Sequence, residues 1–506
     1  MKSYFLLVLL VSVKGLAQAG SFDMNFDTDG KNTNCVSQYF AALASHFQSN
    51  GKIVTFGLNE NYCSTILNRF NGDGSLDTSF GTNGFVRNSI CSVFTNGGYY
   101  PQDMIIQPDD KIIIMGLQQN NTYPNAYWVA RLLPDGALDP SFSEDGYLDL
   151  SFGTMQDRGT CVALQADGKI LLGGTSGSTA QYFTVARMLN NGSLDPDFGI
   201  NGVVQTPFSG TESFANCIAV QQDGKIILGG YTINAPFAKD FAMTRYFANG
   251  NLDTSFGVNG KVVTTVNTSF SDYIDKIVFD SQGRIIASGC SSFEVNYKLA
   301  MARYTSTGLL DTSFGNNGIV VSSYPSRFSD VALQVDGKII LAGGFDADVF
   351  TVLRYLNNGV IDTSFGTNGF VDGNFQVTNG YASSVLIQPD NKIVVTGGVA
   401  SPDNTLSCSA IIRLNPGTLS NEEYINLLVK LYPNPTSGVV FFDNSESLYE
   451  KVSVYNYLGQ EVMKSFNCAQ GDNASFDLSN LSNGVYLVKF KGNGRNGVEK
   501  IVKGNN

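Results

Sequence analysis

The chain repeats one pattern of apolar and polar positions. A unit opens with an apolar run, turns at a polar Asp-Gly or Asn-Gly pair and returns through a second apolar run, as in "ALQADGKILLGG" at 163–174. Two apolar runs around such a pair predict a β-hairpin, because Gly accepts the positive φ that the tight turn demands. A third run follows, "YFTVARML" at 182–189, ended by "NNG". A less regular fourth comes after a "GxNG" turn, as in "GVVQT" at 202–206. The 3.6-residue spacing of an amphipathic helix does not appear, so the pattern predicts an all-β fold of four-stranded antiparallel units. Within the second run, "KIILGG", the apolar residues are consecutive, whereas a sheet with one wet face would alternate. Both faces of each unit are therefore expected to be covered by its neighbours.

Two phrases keep a common beat. "LDTSFGTNG" and its variants place Asp23, Asp77, Asp139, Asp195, Asp253, Asp311 and Asp362 at spacings of 54, 62, 56, 58, 58 and 51 residues. "DGKIILGG" and its variants recur seven times between them, from 50–57 to 390–398. A period of this size signals a stacked or radial array. A β-helix has shorter repeats, and an open row of sandwiches needs more residues per unit. The pattern fits a seven-bladed β-propeller, with paired Gly expected to let strands converge near the axis.

The third strand of each unit carries one Arg: Arg69, Arg131, Arg187, Arg245, Arg303, Arg354 and Arg413. The first six have an Asp eight positions on; Arg413 has Asn421 there, and Asp23 lacks an upstream Arg. One unpaired member at each end implies a ring in which Asp23 completes the unit that Arg413 begins. A guanidinium and a carboxylate can join through two parallel hydrogen bonds, so the repeated pair is expected to be structural. The Phe that follows (Phe80, Phe142, Phe198, Phe256, Phe314, Phe365, with Phe26 in the divergent first copy) is expected to plug between blades.

These phrases resemble the delta-60 repeat, a bacterial family with a β-propeller-like fold and no assigned activity; the resemblance covers residues 20 to about 418. Two copies depart from it, with Ser143 and Asp27 in place of Gly.

The ends read differently. Lys2, the apolar run "YFLLVLLVSV" (4–13) and Ala17-Gln18-Ala19 form the pattern of a secretory signal peptide over residues 1–19; ten apolar residues are too few for a membrane-spanning helix. No transmembrane segment is expected in the mature chain. Residues 419–428 read as a linker. From 429 to 506, short alternating strands predict a small immunoglobulin-like β-sandwich. "LYPNP" (Tyr432, Pro433, Asn434, Pro435), "LSNLSNGVYLVK" (with Gly484 and Tyr486) and the tail bearing Lys500 and Lys503 resemble the C-terminal sorting domain of the type IX secretion system of Bacteroidetes. That resemblance implies passage through the periplasm, handling by the type IX machinery, and a secreted or outer-surface destination.

Composition narrows the function without naming it. The formal charge is −12 and no basic cluster is present, which disfavours nucleic acid as a partner. The one His, His46, stands in an apolar context and reads as a packed residue. No G-x-S-x-G, H-E-x-x-H, phosphate-loop or dinucleotide fingerprint occurs, so no catalytic residue and no cofactor is assigned. "DTDG" (27–30) and "NGDGSLD" (71–77) hint at Ca²⁺, although turn chemistry explains the same residues. Trp128, the single Trp, reads as a packed strand residue with a sugar platform as the alternative. Cys161 and Cys217 share a repeat position and read as reduced core residues in adjacent blades, while Cys63 and Cys408 are candidates for a bridge across the closure. The reading is a non-enzymatic propeller that binds a glycan or a surface protein through its least regular segments, 118–128, 231–240 and 400–407. The alternative is an extracellular polysaccharide hydrolase or lyase with a carboxylate site at the propeller mouth.

Overall fold

The structure is a computed structural model. It describes residues 18–504, apart from 38–39, 60–64, 89–97, 120–124, 211, 235–237, 268–270, 294–295, 326–327, 345–349, 374, 376–379, 402–405, 418–430, 445–450, 457–460, 468–470 and 493–494. The signal-peptide run 1–17 and the linker 419–428 lie outside the described residues. The described residues form thirty-four strands, β1 to β34 in chain order, and no helix. The chain divides into two compact units, Met1–Gly417 and Thr418–Asn506.

In the first unit, six sheets each consist of four strands consecutive in sequence. The seventh is built from both ends: β1 (Lys31–Ser37) lies beside β28 (Ser407–Leu414), with Thr33 opposite Ala410 and Cys35 opposite Cys408. The first strands of the seven sheets, β2 (Phe40–Phe47), β6 (Gly98–Ile106), β10 (Arg158–Leu164), β14 (Glu212–Val220), β18 (Ser271–Phe279), β22 (Phe328–Leu333) and β26 (Gly380–Ile387), touch one another in order, and β26 touches β2. The sheets are thus seven blades around one axis.

Burial follows the expectation from consecutive apolar runs. The third strands Thr65–Phe70, Ala126–Leu132 and Thr351–Tyr355 are buried at every position. The larger hydrophobic clusters of this unit each join two neighbouring blades; Ile114 and Trp128 of blade two pack with Val54 and Phe56 of blade one. Stability of such a fold resides between sheets as much as within them, because no single sheet can cover its own faces.

A disulfide joins Cys35 to Cys408, 373 residues apart in sequence, across the seventh blade. This corrects the expected pairing of Cys408 with Cys63. The closure brings β1 alongside β28, so Cys35 is the cross-strand neighbour of Cys408; Cys63 lies outside the described residues. Cys161 and Cys217 are buried free thiols.

The second unit holds a two-stranded sheet, β29 (Val439–Asn444) with β32 (Gly471–Asp477), and a four-stranded one in the order β31 (Glu461–Asn467), β30 (Lys451–Asn456), β33 (Gly484–Gly492), β34 (Arg495–Lys503). Val440, Phe442, Val454, Val488, Phe490 and Ile501 from both sheets share one core, which makes the unit a small β-sandwich.

Candidate functional site

Two sets of repeat-related positions converge in the propeller: a ring of Arg, Asp and Phe between the blades, and a ring of varied residues on the axis.

In the first ring every Arg makes the same bonds. Arg69 Nε donates to Asp77 Oδ2 at 2.6 Å, Arg131 to Asp139 at 2.8 Å, and Arg187, Arg245, Arg303 and Arg354 to Asp195, Asp253, Asp311 and Asp362 at 2.9 Å. Arg413 Nε donates to Asp23 Oδ2 at 2.8 Å although 390 residues separate them. The guanidinium fork is not bidentate on the Asp. Its Nη1 instead reaches the next blade, where it donates to the carbonyl three residues after that blade's own Arg. The acceptors are Pro134 (2.8 Å), Asn190, Ala248, Ser306, Asn357 and Pro416 (2.6 Å), and Arg413 closes the circle on Gly72 at 2.6 Å. Each guanidinium also lies 4.5–4.8 Å from the ring centroid of the following Phe. All seven Phe are fully buried. They face glycines of the neighbouring blade: a Cβ on Gly250 would lie 2.9 Å from Phe198, and one on Gly308 2.8 Å from Phe256.

The carboxylates sit in a deep electrostatic well. Burial alone would raise the Asp139 carboxyl, but the Ser141 hydroxyl and amide, the Arg131 guanidinium and the Lys111 ammonium hold it at about 2. Asp23, Asp77, Asp195, Asp253, Asp311 and Asp362 are likewise lowered. The Lys of the "DGK" phrase takes part, a role not read from the sequence: Lys52 Nζ is 2.7 Å from Asp77, Lys169 3.0 Å from Asp195 and Lys392 2.8 Å from Asp23.

The second ring was also missed by the sequence reading. Each innermost strand carries one β-bulge against its hairpin partner, and the extra residues are Leu43, Gln102, Thr160, Asn216, Asp275, Ser329 and Ser383. These seven line one axial cavity of about 590 Å³. Opposite the residue before each bulge stands a Gly: Gly57, Gly116, Gly174, Gly230, Gly289, Gly343 and Gly397. The reason is steric, since a Cβ on Gly230 would fall 1.9 Å from the Phe214 carbonyl oxygen and one on Gly289 2.0 Å from that of Tyr273. The glycines therefore admit the bulge, and a Cβ on the paired Gly229 would also fall 2.5 Å from Ile277 of the next blade, so close packing is required there as well. The spacing from bulge to Gly is fourteen residues in every blade, a signal that becomes readable once the register is known.

The cavity is asymmetric. Tyr231, Lys239, Tyr273 and Tyr297, all from blades four and five, form one wall. The Tyr231 ring stacks on Phe214 with centroids 5.0 Å apart and 22° between planes, meets Tyr273 edge-on at 6.3 Å, and carries Lys239 Nζ 4.6 Å from its centroid. Among the described residues of the segments 118–128, 231–240 and 400–407, those of 231–240 alone contribute to this lining. Deeper on the axis, Lys276 Nζ lies 3.7 Å from Asp103 Oδ1, while Asp103 Oδ2 accepts the Val162 amide at 3.0 Å. Asp330 accepts the amides of Val331 and Val385 at 2.9 Å each, and burial raises its pKa. Asp103 and Asp330 lift the Lys276 pKa, burial opposing, so this ammonium keeps its proton. His46 falls within the field of these three groups, and burial drives its pKa down.

Other sequence candidates lie elsewhere. Trp128 is fully buried in its strand, edge-on to Tyr99 at 6.3 Å, and is no exposed platform. The two Ca²⁺-like segments meet, the Asp27 amide donating to the Asp73 carbonyl at 2.8 Å. Among the described residues no group of three or more His, Cys, Asp or Glu is placed to hold a metal ion.

In the C-terminal sandwich the "YPNP" residues meet the last strand. Tyr432 stacks on Phe441 at 6.1 Å; Asn434 Nδ2 donates to the Lys500 carbonyl and Asn434 Oδ1 accepts the Val502 amide, each at 2.9 Å. Pro433 and Pro435 follow cis peptide bonds. Gly484 begins β33, Tyr486 donates its hydroxyl to the Ser482 carbonyl at 2.6 Å, and Lys503 Nζ caps the carbonyls of Ser479 (2.8 Å) and Leu481. The residues of the motif therefore hold together one edge of the sandwich.

These features define an exported seven-bladed β-propeller that carries a C-terminal sorting module. The chain belongs to the beta-propeller family described as a domain of unknown function (DUF5122), whose repeat matches at 48–80, 107–142, 165–198, 221–256, 281–314, 334–365 and 388–417. Residues 430–504 match the secretion system C-terminal sorting domain, which directs the protein to the outer cell surface or the medium through the type IX system. Among the described residues no helix is long and apolar enough to cross a membrane. Comparison with curated proteins finds no match. Among solved structures, a protein of unknown function from Dyadobacter fermentans is similar at 11% identity and TM-score 0.43, over 76% of this chain and 100% of that one. An ulvan lyase of polysaccharide lyase family 25, bound to -[GlcA(1-4)Rha3S]-, is similar at 14% identity and TM-score 0.45, over 78% and 95%. An endo-arabinanase from Bacillus licheniformis is similar at 13% identity and TM-score 0.31, over 57% and 99%.

Proposed function

We propose that the protein is a surface-displayed or released binding module whose axial cavity takes a glycan segment. One observation carries this reading. The seven inter-blade Arg, Asp and Phe are the same in every blade, as a scaffold requires, whereas the seven axial positions hold six different residue types. Positions freed from the repeat are where selection for a ligand can act. The cavity supports a sugar in particular. Its volume falls in the range of about 300–1,000 Å³ usual for small-ligand sites, its floor offers hydroxyl and amide groups, and its wall offers half-buried tyrosines on which a sugar ring can stack.

The competing reading is a polysaccharide hydrolase or lyase with a carboxylate site at the mouth, and its hydrolytic form is less well supported. Glycosidases place two carboxyl groups about 5–9.5 Å apart across the scissile bond, and among the described residues the cavity lining contains one, Asp275. Asp103, one ring deeper, is engaged by Lys276 and the Val162 amide.

The test is a polysaccharide panel screened with the full mature chain and with Y231A. Binding without release of reducing ends or unsaturated products, weakened at least tenfold by Y231A, is the expected result. Turnover of any bound polymer would transfer the cavity to the enzymatic reading. Export is tested separately: deletion of residues 429–506 should leave the protein in the periplasm, and unchanged surface delivery would remove the sorting role from that module.

A further inference from the structure

Resting on the reading of the axial cavity as a glycan site, we infer that its ligand is an acidic sugar, bearing a carboxylate or a sulfate that faces Lys239. The lysines of the inter-blade ring have a buried counter-charge. Lys52, Lys111, Lys169 and Lys392 each lie within 2.7–3.3 Å of a buried Asp of the inter-blade ring. Lys239 forms no ion pair among the described residues, and burial alone pulls its pKa down. It is nevertheless held in one place, its ammonium over the Tyr231 ring and its strand paired to that of Tyr231. A half-buried cation without a counter-charge is held at a cost in solvation, and an anion supplied by the ligand offsets that cost.

The surroundings agree. Burial raises the Tyr231 pKa, with the Arg158 guanidinium opposing and Glu212 adding to the rise. At the floor stand Lys276 and Asp275. Asp103 and Asp330 act on Lys276 from below, so Lys239 is the lining cation left for a ligand anion, in a chain whose formal charge is −12. A sugar ring stacked on the tyrosine wall, between rim and floor, brings a ring substituent to Lys239. The general acidity of the chain repels acidic polymers at long range, so the contact has to come from these placed cations.

The experiment is calorimetric titration of the full mature chain with oligomers of one length: oligogalacturonate, a sulfated galactan oligomer and neutral galactan. Wild type is expected to bind at least one of the charged oligomers at least tenfold more tightly than the neutral one. Which of the two is preferred separates uronate from sulfate recognition. K239M should erase that preference, K239R should retain it, and Y231A should weaken all three. A preference that survives K239M, or neutral binding as tight as charged binding in wild type, overturns the inference and leaves the cavity a glycan site. Binding of none of the oligomers overturns it together with the reading on which it rests.

Discussion

At the scale of single residues, each Arg of the ring answers three demands at once. It neutralises a buried Asp, satisfies a carbonyl of the next blade, and covers a Phe ring. Arg245 and Asp253 are only 4% and 1% exposed, so neither loses much solvation that it has not already given up. Removing one partner leaves the other charge buried and costs about 3–5 kcal/mol in such settings. R245M is therefore expected to lower the unfolding free energy by that order in urea titration. K225M, which removes an ammonium 4.0 Å from the same Asp and partly in solvent, should cost under about 1 kcal/mol. The seven ring carboxyls also set a pH dependence. All have folded pKa values below their ordinary ones, so their contribution is present above the unfolded carboxylate value near 4 and is lost as pH falls through the folded values, about 2 for Asp139. Asp149, Asp272 and Asp330, raised by burial, work in the opposite direction but are fewer. Urea midpoints at pH 3 should lie well below those at pH 6, and an unchanged midpoint would remove the ring from the account of stability.

At the scale of strands and blades, what could be read beforehand was what the chain repeats. The hairpin turns, the strand count and the Arg–Asp spacing recur often enough that a single sequence acts as its own alignment. The axial ring could not be read in this way, because a bulge is a property of register and has no residue type of its own: Leu43, Gln102 and Asp275 share only their distance from a Gly. The disulfide was hidden for a related reason. Cys35 lies in a strand whose partner is set by ring closure, so nothing local to either Cys marks the pair. The bulge account predicts that G230A, which would drive a Cβ to 1.9 Å from the Phe214 carbonyl, costs about 1–3 kcal/mol by overpacking and disturbs the wall formed by Tyr231. Reduction of Cys35–Cys408, or C35S, releases a loop of 373 residues and should cost about 2–4 kcal/mol, visible as a lower melting temperature under a thiol reductant.

At the scale of the whole molecule, the propeller has no first or last blade, only a place where the chain happens to enter and leave. Arg413 and Asp23 stand in the same geometry as the six internal pairs, and the Arg413 guanidinium passes the contact on to Gly72 of blade one. The two ends of the repeat also adjoin: a Cβ on Gly417 would lie 2.4 Å from that of Ala19. Joining Gly417 directly to Gly20 would put Asp23 eight residues after Arg413, the spacing of every other blade. A circular permutant of the propeller 20–417 made by that join, and opened between Ser37 and Phe40, therefore keeps every pairing of the seventh blade and differs from the linear propeller 20–417 only in where the chain begins. It should fold, show the same strand content, and melt within a few degrees of the natural order. Removing residues 20–37 without the join is the contrasting case. That deletion strips the seventh blade of its outer strand, its disulfide and the carboxylate that balances Arg413, and should leave a chain that does not fold stably. If the permutant instead unfolded while the truncated chain kept its structure, stability would have to come from within blades and not from the ring, and the axial cavity would lose the frame that positions it.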